Sequence, residues 1–82
     1  MPEVTVLYFA QARDRLGCDR DHLTLPASAD ANAVLSAVRE RHPNNAALID
    51  RCRVAVDYQF ITGPVAISER SEIALIPPVS GG

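Results

Sequence analysis

The chain of 82 residues contains no lysine. Its positive side chains are eight arginines, at positions 13, 15, 20, 39, 41, 51, 53 and 70. They are scattered and outnumbered by ten acids, and the pI lies near 5.5. Nucleic-acid binders draw their affinity from clustered cations that neutralise phosphates, so that class is set aside. Without lysine there is no G-x-x-x-x-G-K-[ST] loop, and G-x-G-x-x-G, C-x-x-C and H-E-x-x-H are missing too. His22 and His42 stand alone in the sequence and read as structural or solvated side chains, so no metal site is expected. None of the five serines has a nucleophile-elbow context, and Glu69 with Glu72 reads as solvated charge. No apolar run approaches the roughly 18 residues of a membrane span. The start, Met1-Pro2-Glu3, has no basic segment leading into an apolar one, so a secretory signal is not expected. A reducing cytoplasm follows as the expected location, with Cys18 and Cys52 as free thiols. A chain this short builds one domain and has little room for a deep catalytic cleft. It lacks the parts of a self-sufficient enzyme.

What it does contain is a clear pattern of strands and one good helix. Val4 to Ala10 is β-branched and aromatic and reads as a buried strand. Gln11 to Leu16 reads as a short helical turn, stopped by Gly17. His22 to Leu25 alternates and meets Pro26, a second strand with a hard stop. Pro26 to Asp30 is a loop offering Ser28 or Asp30 as a helix cap. Ala31 to Arg41 has helical spacing, with Val34, Leu35 and Val38 on one face and Arg39 and Arg41 at the C-terminal end. Pro43 ends it. Ala46 to Cys52 reads as another short helix. Arg53 to Asp57 is a third strand, Asp57-Tyr58 a tight turn and Gln59 to Ile61 a short strand. Val65 to Ile67 is too short to assign. Glu72 to Ile76 is the last strand, ended by Pro77-Pro78. The first and last strands are the most apolar, so they are placed centrally, adjacent and parallel. The order predicts an α+β roll, a mixed sheet of about five strands with one main helix on one face. It divides into a body over residues 1–76 and an extended tail over 77–82.

The tail, Pro77-Pro78-Val79-Ser80-Gly81-Gly82, carries half of the four glycines in its last two positions. At average glycine usage, chance gives that about 1 time in 200. Pro-Pro cannot continue a ladder and favours a stiff polyproline lead. Gly81 and Gly82 have no Cβ, so the segment fits a narrow channel. The Gly82 carboxylate is a poor electrophile until a partner activates it as an acyl-adenylate. A Cβ beside it would then crowd the attacking group.

Three stretches carry a resemblance: Val6 to Arg13, Val54 to Asp57 with its turn, and Glu72 to Gly82. On these the chain resembles the MoaD/ThiS family of small sulfur carriers in the ubiquitin-like β-grasp superfamily. Its Pro-Pro lead-in places it nearer the molybdopterin branch, MoaD, than the shorter thiamine carrier ThiS. The resemblance implies that an E1-like, MoeB-like enzyme uses ATP and Mg to adenylate Gly82. Sulfur from a cysteine-derived persulfide, supplied by a desulfurase or rhodanese, then replaces AMP and leaves a thiocarboxylate. The tail enters a MoaE-like large subunit of a heterotetrameric synthase and gives its sulfur to a cyclic pyranopterin precursor. No cofactor is expected on the chain alone. A sulfur carrier for another pathway (thiamine, cysteine or thionucleoside), a ubiquitin-like protein modifier and an adaptor with an idle tail are the alternatives. Without lysine, one copy cannot form an isopeptide with another through a lysine side chain.

Alternation puts Val4, Val6 and Tyr8 on one face of the first strand and Thr5, Leu7 and Phe9 on the other. The last strand divides into Ile73 and Leu75 against Ala74 and Ile76. One helix covers one face, so the other needs a partner. Phe9, Phe60 and Ile76, with Leu7, are the candidate interface residues. They align with hydrophobic contact positions of the family, and Arg13, matching a family arginine in the same motif, is a candidate salt-bridge residue. Many relatives have Phe where this chain has Leu75 and Ile76, which keeps docking in kind but changes its shape.

Overall fold

The computed structural model describes residues 1–78. Strand β1 (Glu3–Tyr8) runs into helix α1 (Ala10–Leu16), and the chain returns as β2 (Arg20–Thr24), antiparallel to β1. Gly17 ends α1 in the left-handed conformation, φ 77°, with its N–H donating to the Arg13 carbonyl, as the glycine stop predicted. A two-residue strand β3 (Ser28–Ala29) precedes helix α2 (Ala31–Arg41). Of the two cap candidates Asp30 is the one used: its carboxylate accepts the Ala33 N–H at 2.9 Å. A 3-10 turn at Pro43–Asn45 and helix α3 (Ala46–Asp50) lead to β4 (Arg53–Val56). Then come β5 (Gln59–Phe60), β6 (Val65–Ala66) and β7 (Glu72–Ile76).

The main sheet has five strands in the order β2-β1-β7-β4-β5. β1 and β7 lie side by side at its centre and are parallel, with Tyr8 opposite Leu75, as their apolar content predicted. The other pairings are antiparallel. Helix α2 lies against one face through Val34, Leu35 and Val38, the residues its spacing had put together. Val4, Val6 and Tyr8 of β1 and Ile73 and Leu75 of β7 point into this layer and are at most 2% exposed. Removing apolar surface from water there, roughly 25 cal/mol per Å², drives the packing. The α+β roll expected from the sequence is the observed architecture.

Three local readings change. β1 stops at Tyr8, and Phe9 is the extended residue that caps α1. The loop before α2 and the unassigned segment at Val65 are partners: β3 and β6 form a separate two-stranded sheet, extended by Ile67 N–H donating to Ala27 O at 2.8 Å. Two residues are too few to show an alternation. α3 ends at Asp50, and Cys52 lies beyond it, its thiol donating to the Leu48 carbonyl.

Candidate functional site

A single row of residues crosses the uncovered face of the sheet. Leu7 of β1 pairs with Ala74 of β7, Ala74 with Ala55 of β4, and Ala55 with Phe60 of β5. Two alanines side by side make a low floor, and Leu7 and Phe60 rise at its ends. The result is a groove of about 250 Å³ lined by these four together with Phe9, Tyr58 and Ile76. Phe9 is 43% exposed and Phe60 46%. Arg53 lies with its guanidinium 3.7 Å from the centre of the Phe60 ring, which braces that wall by a cation–π contact. Continuous apolar patches are typical of interaction surfaces, whereas scattered exposed side chains are not. Phe9, Phe60, Ile76 and Leu7 are thus brought together. Leu75 instead points into the core at 0% exposure, whereas Ile76 faces the groove.

Tyr58 is the aromatic that sequence reasoning missed. Asp57 and Tyr58 form the predicted tight turn, with φ of 51° and 72°. Both angles are positive, the geometry that matches the twist of a two-residue hairpin. Asp57 holds the turn against β7: its N–H donates to Glu72 O at 2.8 Å, and its carboxylate accepts the Glu72 N–H at 3.0 Å. The turn leaves the Tyr58 ring 87% exposed at the rim of the groove. A hydrogen bond to the Glu72 carboxylate, with that group's charge, pushes the phenol above its usual range. A bulky aromatic at a left-handed position is the signal that could have singled it out.

Where β7 ends, a second groove of about 610 Å³ opens between Phe9, Gln11 and Asp14 on one side and Ile76, Pro77 and Pro78 on the other. Phe9 and Ile76 border both grooves, so the apolar face runs on to the place where the tail leaves. Pro77 is still buried, and Pro78 is the first exposed residue. Val79, Ser80, Gly81 and Gly82 lie outside the described residues. Arg13 is exposed on α1 and makes no ion pair among the described residues; its neighbour Asp14 borders the second groove.

The two histidines differ. His22 is exposed on β2, with Nδ1 3.1 Å from Thr5 Oγ1. His42 is not isolated: its Nε2 lies 2.6 Å from Asp21 Oδ2, which also accepts the Tyr8 hydroxyl at 2.8 Å. Burial opposes ionisation of Asp21, but hydrogen bonds from His42 and Tyr8 and the charges of His42 and Arg41 outweigh it and hold the carboxyl below its usual range. Burial and the same carboxylate push Tyr8 strongly upward. Cys18 and Cys52 are both free thiols raised by burial, so neither is an activated nucleophile. No helix among the described residues is long and apolar enough to cross a membrane.

Comparison with known proteins bears on both the fold and the tail. The molybdopterin synthase sulfur carrier subunit of Aedes aegypti is 34% identical over 86 residues, covering 96% of this chain and 88% of the relative. The small archaeal modifier protein 1 of Haloferax volcanii superposes with a TM-score of 0.79 at 21% identity, covering 96% of this chain and all of that one. Subunit 1 or 2 in the complex of the Helicobacter pylori molybdopterin-converting factor superposes with a TM-score of 0.67 at 18% identity, covering 98% and 99%. At these identities the two structures establish the ubiquitin-like β-grasp fold and nothing finer. The ThiS family profile matches residues 6–82, reaching the final glycine. With a relative at 34% identity over nearly its whole length, the chain belongs to the ThiS family.

Proposed function

We propose that the protein is the sulfur carrier of a molybdopterin synthase, with the Gly82 carboxyl as the atom-bearing end. The observation that carries this is the family match, which runs through the body into the Gly81-Gly82 tail, beside relatives named as molybdopterin synthase sulfur carrier subunits. The body supplies no catalytic constellation of its own. It supplies a docking face, formed by Leu7, Phe9, Phe60 and Ile76, that leads to the tail exit.

An E1-like adenylating enzyme first docks on this face. ATP and Mg are substrates held by that enzyme. The Gly82 carboxylate attacks the α-phosphorus, pyrophosphate leaves and an acyl-adenylate remains. Persulfide sulfur from a donor enzyme displaces AMP to give an acyl disulfide, and a second thiol then attacks the donor cysteine sulfur, forming a disulfide and releasing the thiocarboxylate. Loaded, the carrier leaves and docks by the same face on the large synthase subunit. Pro77 and Pro78 set the direction of exit, and Val79, Ser80 and Gly81 thread the tail so that the Gly82 sulfur reaches the pyranopterin. The complex of subunits 1 and 2 from Helicobacter pylori supports a large-subunit partner, and a heterotetramer is the assembly expected. Two free thiols and the need for ATP support a cytoplasmic location. Arg13, exposed on α1, is the candidate for a salt bridge to a partner acid.

The fold is shared with an archaeal modifier protein, so the test must separate sulfur transfer from protein conjugation. The thiocarboxylated carrier, mixed with a large synthase subunit and the pyranopterin precursor, is expected to yield molybdopterin. Deleting Gly82 is expected to abolish the yield and leave the melting temperature unchanged. Conjugates in place of molybdopterin, or an active deletion variant, contradict the proposal.

A further inference from the structure

Sequence spacing gives no hint of a metal site, but the fold assembles one donor set. Cys18 follows α1, Asp21 lies on β2, and His42 is the residue after α2. One ligand atom from each of the three lies within 4.8 Å of the other two. Asp21 Oδ2 is the common point, 2.6 Å from His42 Nε2 and 3.8 Å from Cys18 Sγ. Thiolate sulfur, imidazole nitrogen and carboxylate oxygen together are the ligand types of zinc and similar divalent ions.

The geometry is close to what such an ion needs. With bonds of about 2.0 Å to N and O and about 2.3 Å to S, tetrahedral ligand atoms stand roughly 3.3–3.5 Å apart. The sulfur–oxygen edge must shorten by a few tenths of an ångström. The nitrogen–oxygen edge must open by less than about 1 Å, within reach of a rotation of the Asp21 carboxylate. The surroundings hold the ligands in place. Tyr8 donates to Asp21 Oδ2 and meets the His42 ring edge-on, with centroids 5.9 Å apart and planes at 86°. Arg41 Nε lies 3.7 Å from Asp21 Oδ1, on the other oxygen. The side chains of His42 and Asp21 are 17% and 12% exposed, enough to admit an ion and a water as fourth ligand.

A purely structural clasp would need only Tyr8, Asp21, His42 and Arg41. The Cys18 thiol is the group that such a clasp does not use, since at 3.8 Å it adds only a long, weak S–H contact. We propose that Cys18 Sγ, Asp21 Oδ2 and His42 Nε2 form a binding site for Zn²⁺ or a similar borderline divalent transition ion. On binding, the Cys18 thiol and the His42 Nε2–H each give up a proton to solvent, and His42 keeps the proton on Nδ1. A dication then meets one thiolate and one carboxylate and is neutralised. The site lies on the helix-covered side of the sheet, so it is separate from the docking groove.

Cobalt(II) is the probe, added to the reduced, chelator-stripped full-length chain. One equivalent is expected to produce the visible d–d bands of a four-coordinate ion and a thiolate-to-cobalt charge-transfer band, and Zn²⁺ is expected to bleach both. Zn²⁺ is also expected to raise the melting temperature, because it binds only the folded state. Cys18→Ser should lose the charge-transfer band and the thermal shift while keeping its circular dichroism. Cys52→Ser and His22→Asn should keep both signals. Absence of the bands in the wild type, their persistence in Cys18→Ser, or their loss in Cys52→Ser overturns the proposal.

Discussion

The two faces of the central sheet are built from the same strands and have opposite fates. On β7, Ile73 and Leu75 are fully buried under α2, while Ala74 and Ile76 one residue along lie in an open groove. On β1, Val6 and Tyr8 are buried, whereas Leu7, and Phe9 just beyond the strand, are not. Alternation alone produces this, because each residue flips the side chain to the other face. Apolar side chains on both faces are expected of strands covered on both sides. Among the described residues the chain covers one side only, and the proposed partners would cover the second. One face holds the fold together, and the other is the proposed docking face.

Substitutions on the two faces should therefore separate stability from binding. The largest effect is expected from Leu75→Ala on the covered face, a loss of about 2–5 kcal/mol in folding stability from the cavity it leaves. Denaturant unfolding measures it; a loss below about 1 kcal/mol would mean that the layer under α2 is looser than its burial indicates. Next comes Phe9→Glu on the open face. Its side chain takes no part in capping α1, so the melting temperature should hardly move. Affinity for the large subunit should fall by about 2 kcal/mol or more, as for an aromatic at the centre of an interface. An unfolded Phe9→Glu variant would collapse the distinction between the faces.

The smallest effect concerns the polar edge of the covered face. Asp21 has a folded-state pKa below its unfolded value. Its contribution to stability is therefore complete above the ordinary carboxylate pKa of about 3.9 and is lost as pH falls through the lowered value. In the presence of chelator, wild-type stability should drop more steeply than that of Asp21→Asn below about pH 4, with the difference between the two shrinking. Parallel acid-unfolding profiles would remove Asp21 from the account.

Much of this was legible in the residues. The runs at Val4 to Tyr8 and Glu72 to Ile76 are long enough for alternation to assign faces, and Asp30, Gly17 and Pro43 punctuate the helices by local chemistry. What was illegible is long-range. The β3–β6 pairing joins two-residue segments with no period. Tyr58 reads as a turn residue, and only the register of β4 with β5 and β7 shows it at the groove rim. Cys18, Asp21 and His42 are brought together by a helix end returning over the edge of the sheet, and no spacing encodes that. The tail is the converse case. Its chemistry was read from Gly81-Gly82, the Pro77-Pro78 lead-in and the family resemblance, and Val79 to Gly82 lie outside the described residues.

The central claim is that the Gly82 carboxyl is where sulfur is carried. Intact-mass measurement of the protein, after incubation with its adenylating enzyme, ATP, Mg, a persulfide donor and a thiol reductant, tests it most directly. The account predicts exchange of one oxygen for one sulfur, located to the C-terminal peptide and missing from the Gly82 deletion. An unchanged mass with enzymes shown to be competent on another carrier, or sulfur found on Cys18 instead of Gly82, would contradict it.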